Sequence, residues 1–488
     1  MDLSTLTPAP LWQHFEKICA LPHPSGHEEA VAEYLLDFAR EHQLEAHREA
    51  CGNVIILKDA SEGYGKSPRV ILQAHMDMVP VAAPGVRHDF LRDPIHPVLH
   101  EDGTVTAQGT TLGADDGIGI ATMLALLEDE SLQHGPLTCI FTVEEETTMK
   151  GAMGLDPRWL QGDYLINLDS EDTGLIFVGC AGSCDIHMTY RPAFEELPLG
   201  ARALKLHLTG LKGGHSGTDI HRGHANAIVE LSALLKSLTA RYELSLISFT
   251  GGQAVNSIPA SATATVVVDT LKANAFKQDL LLAFEKVRAA HQEQDPGMRL
   301  EITEAKVPLK GMSSASLEEL TALVDSFSLG ALAYSAVDAS IVQDSCNLGL
   351  ISTVKDEVHL TLMPRSLDKD SLPRLVALQT DNAVCRAIGD KLSFTCTPPH
   401  GAWLSPSDNA LIRTLKQHWQ EITGTPLTVT VLHAGLECGF FVEKGPASLQ
   451  LISIGATIAY PHSPDERLDS RGAAQILALM QRTLAHLK

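Results

Sequence analysis

The sequence predicts an α/β domain split in two by an inserted α+β domain. Three observations carry this prediction. Up to about residue 185, apolar runs of strand length alternate with helix-period segments, the pattern of a sheet covered by helices. From about 186 to 398 the pattern turns to strand-like alternation on a period of two, broken by a few helices. From 399 the α/β character returns. A chain of 488 residues exceeds one core. Residues 1–185 and 399–488 are therefore expected to form one discontinuous domain around an insert at 186–398.

In order along the chain, residues 11–21 and 27–44 carry apolar positions at helical spacing. In the second segment Ala30, Tyr34, Leu35 and Phe38 share one stripe. Ser25 and Glu28 stand at capping-box spacing before it. His23 and His27 flank that start, where histidines are usually solvated. A turn at Gly52 leads into a strand ending at Leu57. The stretch Val70-Ile-Leu-Gln-Ala-His-Met-Asp-Met-Val-Pro80 follows, and the rest of the chain is organised around it. Its apolar start reads as a buried strand, and polar chemistry begins where that run stops. His75 and Asp77 lie two residues apart, so in extended chain they leave the same face. An imidazole able to bind a metal thus stands beside a carboxylate able to hold its second ring nitrogen.

The loop Gly109-Thr-Thr-Leu-Gly-Ala-Asp-Asp-Gly-Ile-Gly119 runs into an apolar helix at 118–127. It has neither GxGxxG nor Walker spacing, and adjacent Asp115 and Asp116 would repel a phosphate, so a cation is the better ligand. Leu137–Val143 is a further strand that ends in Glu144, Glu145 and Glu146. Tyr164–Leu168 is another, ending at Asp169. Acids thus gather beyond successive strand ends, where α/β sheets build their sites.

In the insert, strands are expected at 203–208, 244–250, 261–268, 298–304 and 358–363, with helices near 224–239, 273–292, 314–327 and 371–388. The first part reads β-α-β-β-α-β, and the second resembles an incomplete copy. Beyond it, a helix at 408–423, strands at 427–432 and 449–453 and a helix at 471–487 complete the first domain.

Charge and composition exclude several roles. Lys and Arg number 37 against 60 Asp and Glu, a net charge of −23, which argues against nucleic acid or an anionic membrane as partner. No apolar stretch of about 18 residues and no basic-then-apolar leader is present. The nine cysteines show no paired framework. A reducing cytoplasm is the expected compartment.

Collected beyond the strands and in the C-terminal part are His75, Asp115, Glu146, Asp169 and His462: two imidazoles, three carboxylates and no thiolate. Such a set can hold two divalent cations with a shared carboxylate. It suits Zn²⁺, Mn²⁺ or Co²⁺ without choosing among them.

The motifs His75-x-Asp77-x-Val-Pro80, Gly113-Ala-Asp-Asp-Gly117, the glutamate triplet, Asn167-Leu-Asp169 and Pro461-His462 resemble those of the co-catalytic zinc peptidases. That group includes carnosinases, tripeptidases and aminoacylases. Within it, Thr110–Gly119, Asp169-Ser-Glu171, Gly179–Gly182, His433–Gly439 and Pro461–Glu466 are similar to the bacterial aminoacyl-histidine dipeptidases. The likeness runs the length of the chain.

The resemblance implies a discontinuous zinc-peptidase catalytic domain with an inserted α+β lid domain, two Zn²⁺ per subunit and a homodimer. It implies that His75 binds one ion and His462 the other, that Asp115 bridges them, and that Glu146 and Asp169 complete the set. Aligning the triplet with the family pattern makes Glu145 the general base, while Asp77 orients His75. The family resemblance also suggests a cis peptide between Asp115 and Asp116. In the insert, His215 matches a lid histidine that would donate to the oxyanion, and Asn256 and Arg365 match substrate-binding positions. The arginine fork suits a free carboxylate. Glu437 is a candidate for the substrate amine or for loop structure. The implied reaction is hydrolysis of dipeptides with C-terminal histidine by a hydroxide held between the metals. An aminoacylase or tripeptidase of the same group is the alternative. Asp116, where this subgroup often has Asn, and Thr147-Thr148, in place of a small pair, depart from the pattern and bear on metal preference and substrate range.

Overall fold

The computed structural model describes residues 3–336 and 338–487. The chain forms two compact units. One comprises Met1–Cys180, Trp403–Val431 and Leu436–Lys488; the other comprises Ala181–Ala402 and Leu432–Gly435. The short return of Leu432–Gly435 to the second unit has no counterpart in the sequence reading.

The first unit is built on a nine-stranded sheet. Its middle is the parallel set Leu137–Thr142, Val70–His75, Tyr164–Asn167 and Gln450–Ser453, in that spatial order. Every residue of the first three is buried, as expected of parallel strands covered on both faces. Antiparallel strands Glu45–Arg48 and Val54–Lys58 extend one side, and Leu175–Cys180 and Trp403–Leu404 the other. Helix Ala114–Glu128 packs on Val70–His75 and against helices Ala9–Cys19 and Ser470–His486. It is buried at every residue from Ala114 to Leu127, which explains why it is apolar all round rather than striped. A small sheet joins Ile458–Ala459, Arg467–Asp469, Thr104–Ala107 and Pro97–Leu99.

The expected capping box before the second helix does not form. That helix runs Glu29–Glu41 without a side-chain cap. The Ser25 hydroxyl donates to Asp77 instead (2.7 Å), and Glu28 accepts from the N–H groups of Gly26 and Glu144. His23 is buried rather than solvated, with Nδ1 2.5 Å from the Leu21 carbonyl oxygen. No helix among the described residues is long and apolar enough to cross a membrane.

The second unit contains a twelve-stranded sheet with two β-α-β-β-α-β runs. The first has strands Arg202–Thr209, Ser245–Gly251, Ala262–Val268 and Arg299–Ala305 with helices Ala227–Thr239 and Ala273–Ala290. The second has strands Ile186–Tyr190, Val342–Val354, Glu357–Ser366 and Leu392–Cys396 with helices from Ser314–Asp325 and from Leu372 onward. Both place their strands antiparallel in the order fourth, first, third, second, and the runs join through Thr250–Gly251 and Ile351–Ser352. The second run is complete because its first strand precedes the whole first run, which is inserted into it.

Several local features differ from the sequence expectation, among them strands Ile186–Tyr190 and Leu392–Cys396, which it does not include. Val342–Val354 hides its alternation behind buried Asp344, Ser345 and Asn347 and a register shift between Leu348 and Leu350. The single helix expected at 371–388 is two, Leu372–Thr380 and Ala383–Ile388, because the Asn382 side chain caps Val384 and Cys385.

Candidate metal centre

The parallel strands of the first unit end on one edge, and the candidate ligands stand there. His75 is the last residue of its strand. Glu145 and Glu146 open a single helical turn just beyond Leu137–Thr142, and Asp169 follows Tyr164–Asn167. Asp115 sits in the first turn of Ala114–Glu128, where its peptide bond to Asp116 is cis. His462 lies in the hairpin loop between Ile458–Ala459 and Arg467–Asp469.

Asp115 faces both histidines. Its Oδ1 is 3.0 Å from His75 Nε2, and its Oδ2 is 3.2 Å from His462 Nε2. Asp169 Oδ1 is 3.4 Å from the same His75 nitrogen, and Glu146 Oε2 is 2.9 Å from His462 Nε2. Three groups have ligand atoms within 4.8 Å of one another: His75 with Asp115 and Asp169, Asp115 with Glu146 and His462, and His75 with Glu145 and Glu146. The first two share Asp115.

This donor set fits two divalent ions. Two atoms bound to one tetrahedral ion at about 2.0–2.1 Å lie roughly 3.3 Å apart, close to the separations seen here. Glu146 Oε1 is buried and has no hydrogen-bond partner among the described residues. The electrostatics point the same way. Burial, reinforced by Asp115, pushes Glu146 up to about 7; burial likewise raises Asp169 to about 6 and Glu171, near Asp115 and Asp169, to about 9. Burial would lower His462, but its hydrogen bonds with Asp115 and Glu146 raise it to about 11. Glu146, Asp169 and Glu171 are thus drawn toward their protonated forms. Asp115, although burial opposes its charge, is held below the usual carboxylate range by His462 and His75. Those histidines themselves gain protons because the cluster is short of positive charge.

The surrounding residues fix this edge. His75 Nδ1 lies 2.9 Å from the Asp77 carbonyl oxygen and 3.5 Å from Asp77 Oδ1. The Asp77 carboxylate mainly serves other donors: it accepts from Ser25 Oγ (2.7 Å), Glu145 N (2.9 Å) and Glu146 N (3.2 Å). It therefore ties the N-terminal loop, the His75 strand end and the glutamate turn together. Below the edge, Ser453 Oγ donates to Asn167 Oδ1, Asn167 Nδ2 to Gln73 Oε1 and Gln73 Nε2 to Glu437 Oε2, a buried polar chain across neighbouring strands. Glu437 is fully buried, also accepts from Thr142 Oγ1 (2.8 Å), and is raised to about 8 by burial. Its Oε1 has no hydrogen-bond partner among the described residues.

The second unit assembles the other candidates around Ser216. The backbone N–H of Ser216 donates to Asn256 O, and Arg365 Nη2 donates to its hydroxyl at 3.3 Å. Arg365 is buried, which removes a surface ion pair as its explanation, whereas Asn256 is exposed. His215 Nδ1 accepts from the N–H groups of Gly217 (3.2 Å) and Thr218 (3.1 Å), so the neutral ring carries its proton on Nε2. His433 has no role in the sequence expectation. It is buried, with Nε2 2.7 Å from Ser345 Oγ, and burial followed by the charge of Arg365 lowers it to about 3. The signal was its motif, His433–Gly439, quoted above without a function for the histidine.

Glu466, at the end of the motif Pro461–Glu466, likewise has no role in the sequence expectation. Its buried carboxylate accepts from four consecutive N–H groups, Leu112 to Asp115, which the glycine loop presents. The loop's anion is therefore the protein's own carboxylate, which explains why no phosphate pattern is present.

The chain as a whole is similar to known proteins. The family model "Peptidase family M20/M25/M40" matches residues 71–486. The cytosol non-specific dipeptidase of Escherichia coli (strain K12) is 36% identical over 490 aligned residues, covering 100% of this chain and 99% of that protein. The crystal structure of aminoacylhistidine dipeptidase from Vibrio alginolyticus matches with a TM-score of 0.81 and 34% identity, over 100% of this chain and 98% of that one. A tripeptidase from Staphylococcus aureus shares the fold, with a TM-score of 0.57 and 16% identity over 99% of each chain. The chain belongs to peptidase family M20/M25/M40 and is a hydrolase of peptide bonds.

Proposed function

We propose that this protein is a two-metal dipeptidase that accepts dipeptides ending in histidine. The observation that carries the proposal is Asp115, which turns one carboxylate oxygen toward His75 and the other toward His462. A carboxylate so divided is what two neighbouring cations require. His75, Asp115 and Asp169 would hold one ion, and Asp115, Glu146 and His462 the other, with Zn²⁺ the first choice and Mn²⁺ or Co²⁺ compatible. Such ions supply Lewis acidity, polarising the scissile carbonyl and making water more acidic.

The chain's own residues do the rest. Glu145 stands beside Glu146 on the same turn, is raised well above the usual carboxylate range chiefly by burial, and takes the proton from the attacking water. It then passes that proton to the leaving amine. Asp77 fixes the Glu145 backbone and braces His75. His215, with its proton on Nε2, is suited to donate to the developing oxyanion. Arg365 is the candidate for the free carboxylate of the substrate and Asn256 a further substrate contact. Glu437 belongs to the buried polar chain, which favours loop structure over amine binding.

The choice of dipeptides is supported by the names of the Escherichia coli and Vibrio alginolyticus relatives, and histidine at the C-terminus by the latter alone. The Escherichia coli name also supports a cytoplasmic location. A homodimer is proposed on family resemblance and is checked by light scattering. The test of function is a panel of dipeptides, including β-alanyl-histidine, with tripeptides and N-acyl amino acids alongside, given to metal-stripped protein after Zn²⁺, Mn²⁺ or Co²⁺ is restored. Metal-dependent cleavage of dipeptides, fastest with C-terminal histidine, is expected. Preferential cleavage of tripeptides or N-acyl amino acids would overturn the substrate assignment.

A further inference from the structure

We propose that Glu466 is a positioning residue that sets the distance between His462 and Asp115. This rests on the reading of those two residues as metal ligands. Glu466 is 2% exposed, and its charge is met by backbone N–H groups, with no side-chain cation paired to it among the described residues. Oε2 accepts from Leu112 N (2.7 Å) and Gly113 N (3.2 Å); Oε1 accepts from Ala114 N (2.8 Å) and, at the limit of a hydrogen bond, Asp115 N (3.5 Å). These groups belong to the glycine loop and the irregular entry of helix Ala114–Glu128, whose backbone departs from helical geometry at Asp115 and Asp116. The Glu466 carboxylate therefore meets backbone donors that lead into the helix.

The other end of the strut is the loop that bears His462. Glu466 N donates to Ser463 O, Asp465 N to Ser463 Oγ, and Ser463 Oγ to Tyr460 O, closing a tight turn. Within that turn Tyr460 and His462 both adopt positive φ (56° and 58°), a conformation that side-chain-bearing residues keep only when their surroundings hold it. One side chain thus joins the backbone of Asp115 to the turn that aims His462, whose Nε2 lies 3.2 Å from Asp115 Oδ2. Without the strut, two loops far apart in sequence would have to find this separation unaided. Residues that orient ligands in this way usually govern affinity and rate by about 10–100-fold.

The test is Glu466→Gln, which keeps the shape but turns an NH₂ group toward N–H donors. Zn²⁺ affinity is read by competition with a chromophoric chelator, unfolding by metal-free thermal melts, and kcat and KM on a dipeptide that the parent cleaves. The more weakly held Zn²⁺ should bind about 10–100-fold less tightly and kcat should fall similarly, while KM stays within about twofold. A variant that melts earlier when metal-free, yet binds both Zn²⁺ ions and turns over like the parent, would make Glu466 a scaffold residue only and overturn the proposal. If Glu466→Gln does not fold, Glu466→Asp keeps the charge but cannot span both pairs of N–H groups. It should lose Zn²⁺ affinity to a smaller extent, and parent-like affinity refutes the strut. A parent protein that binds no zinc pair overturns the metal-centre reading itself; a competent parent with an unchanged variant overturns only the role of Glu466.

Discussion

Replacing Asp77 tests how the catalytic edge is held together. Its carboxylate, 1% exposed, accepts from Ser25 Oγ at 2.7 Å, Glu145 N at 2.9 Å and Glu146 N at 3.2 Å, and lies 3.5 Å from His75 Nδ1. Burial disfavours its charge, but the hydrogen bond and charge of His75, with the hydroxyl of Ser25 and the N–H of Glu145, hold it below the usual carboxylate range. Asp77→Asn leaves one acceptor oxygen and turns an NH₂ group toward backbone donors. Hydrogen bonds to a charged group are worth about 1.5–3 kcal/mol each and do not add within one network. Asp77→Asn should therefore cost about 2–3 kcal/mol and Asp77→Ala about 3–5 kcal/mol. Urea unfolding of the metal-free protein measures this, with kcat/KM measured in parallel. Activity should drop about 10–100-fold, because the turn carrying Glu145 and Glu146 loses its anchor. An Asp77→Asn protein as stable and as active as the parent would refute the claim that this carboxylate organises the site.

Three further outcomes follow. Glu145→Gln should lower kcat by about 10²–10⁴ with KM nearly unchanged and Zn²⁺ still bound, as read by steady-state kinetics and metal analysis; equal rates would remove Glu145 as the base. Arg365→Lys, which loses the planar fork, should raise KM for dipeptides and erase most of the preference for a free C-terminal carboxylate over a C-terminal amide, checked with matched substrates. His433, lowered to about 3 against 6.5 unfolded, is neutral in the native state, so the unfolded chain binds more protons below pH 6.5. Its contribution to stability is present above that pH and is lost as pH falls from 6.5 toward 3, by at most about 1.4 kcal/mol per pH unit; His433→Gln should flatten that slope in acid melts.

Much of the fold was legible because its signals are local. The apolar runs at 70–72 and 137–143 are fully buried parallel strands, and the all-round apolar 118–127 is a helix enclosed on every side. What failed was local pattern overridden by distant partners. Ser25 looked like a helix cap, but its hydroxyl is drawn to Asp77, 52 residues away. Val342–Val354 carries polar residues whose partners, His433 for Ser345 and Ser257 for Asn347, lie elsewhere in the chain, so its strand period was masked. The candidate site shows the same division. His75, Asp115, Glu146, Asp169 and His462 were collected because metal-ligand types fell at strand ends and in a matching motif. Glu466 and His433 stand inside recognisable motifs, but the burial and the distant partners that define them, the N–H groups of 112–115 and Ser345 Oγ, leave no local pattern in the sequence.

The central claim is that two divalent ions, held by this cluster, are required for hydrolysis. The most direct test titrates metal-stripped protein with Zn²⁺ while bound ions and dipeptide hydrolysis are followed in the same sample. Activity absent without metal and reaching its plateau at two bound ions per chain is the predicted result. Dipeptide hydrolysis by the metal-free protein, or none with two ions bound, would contradict the account.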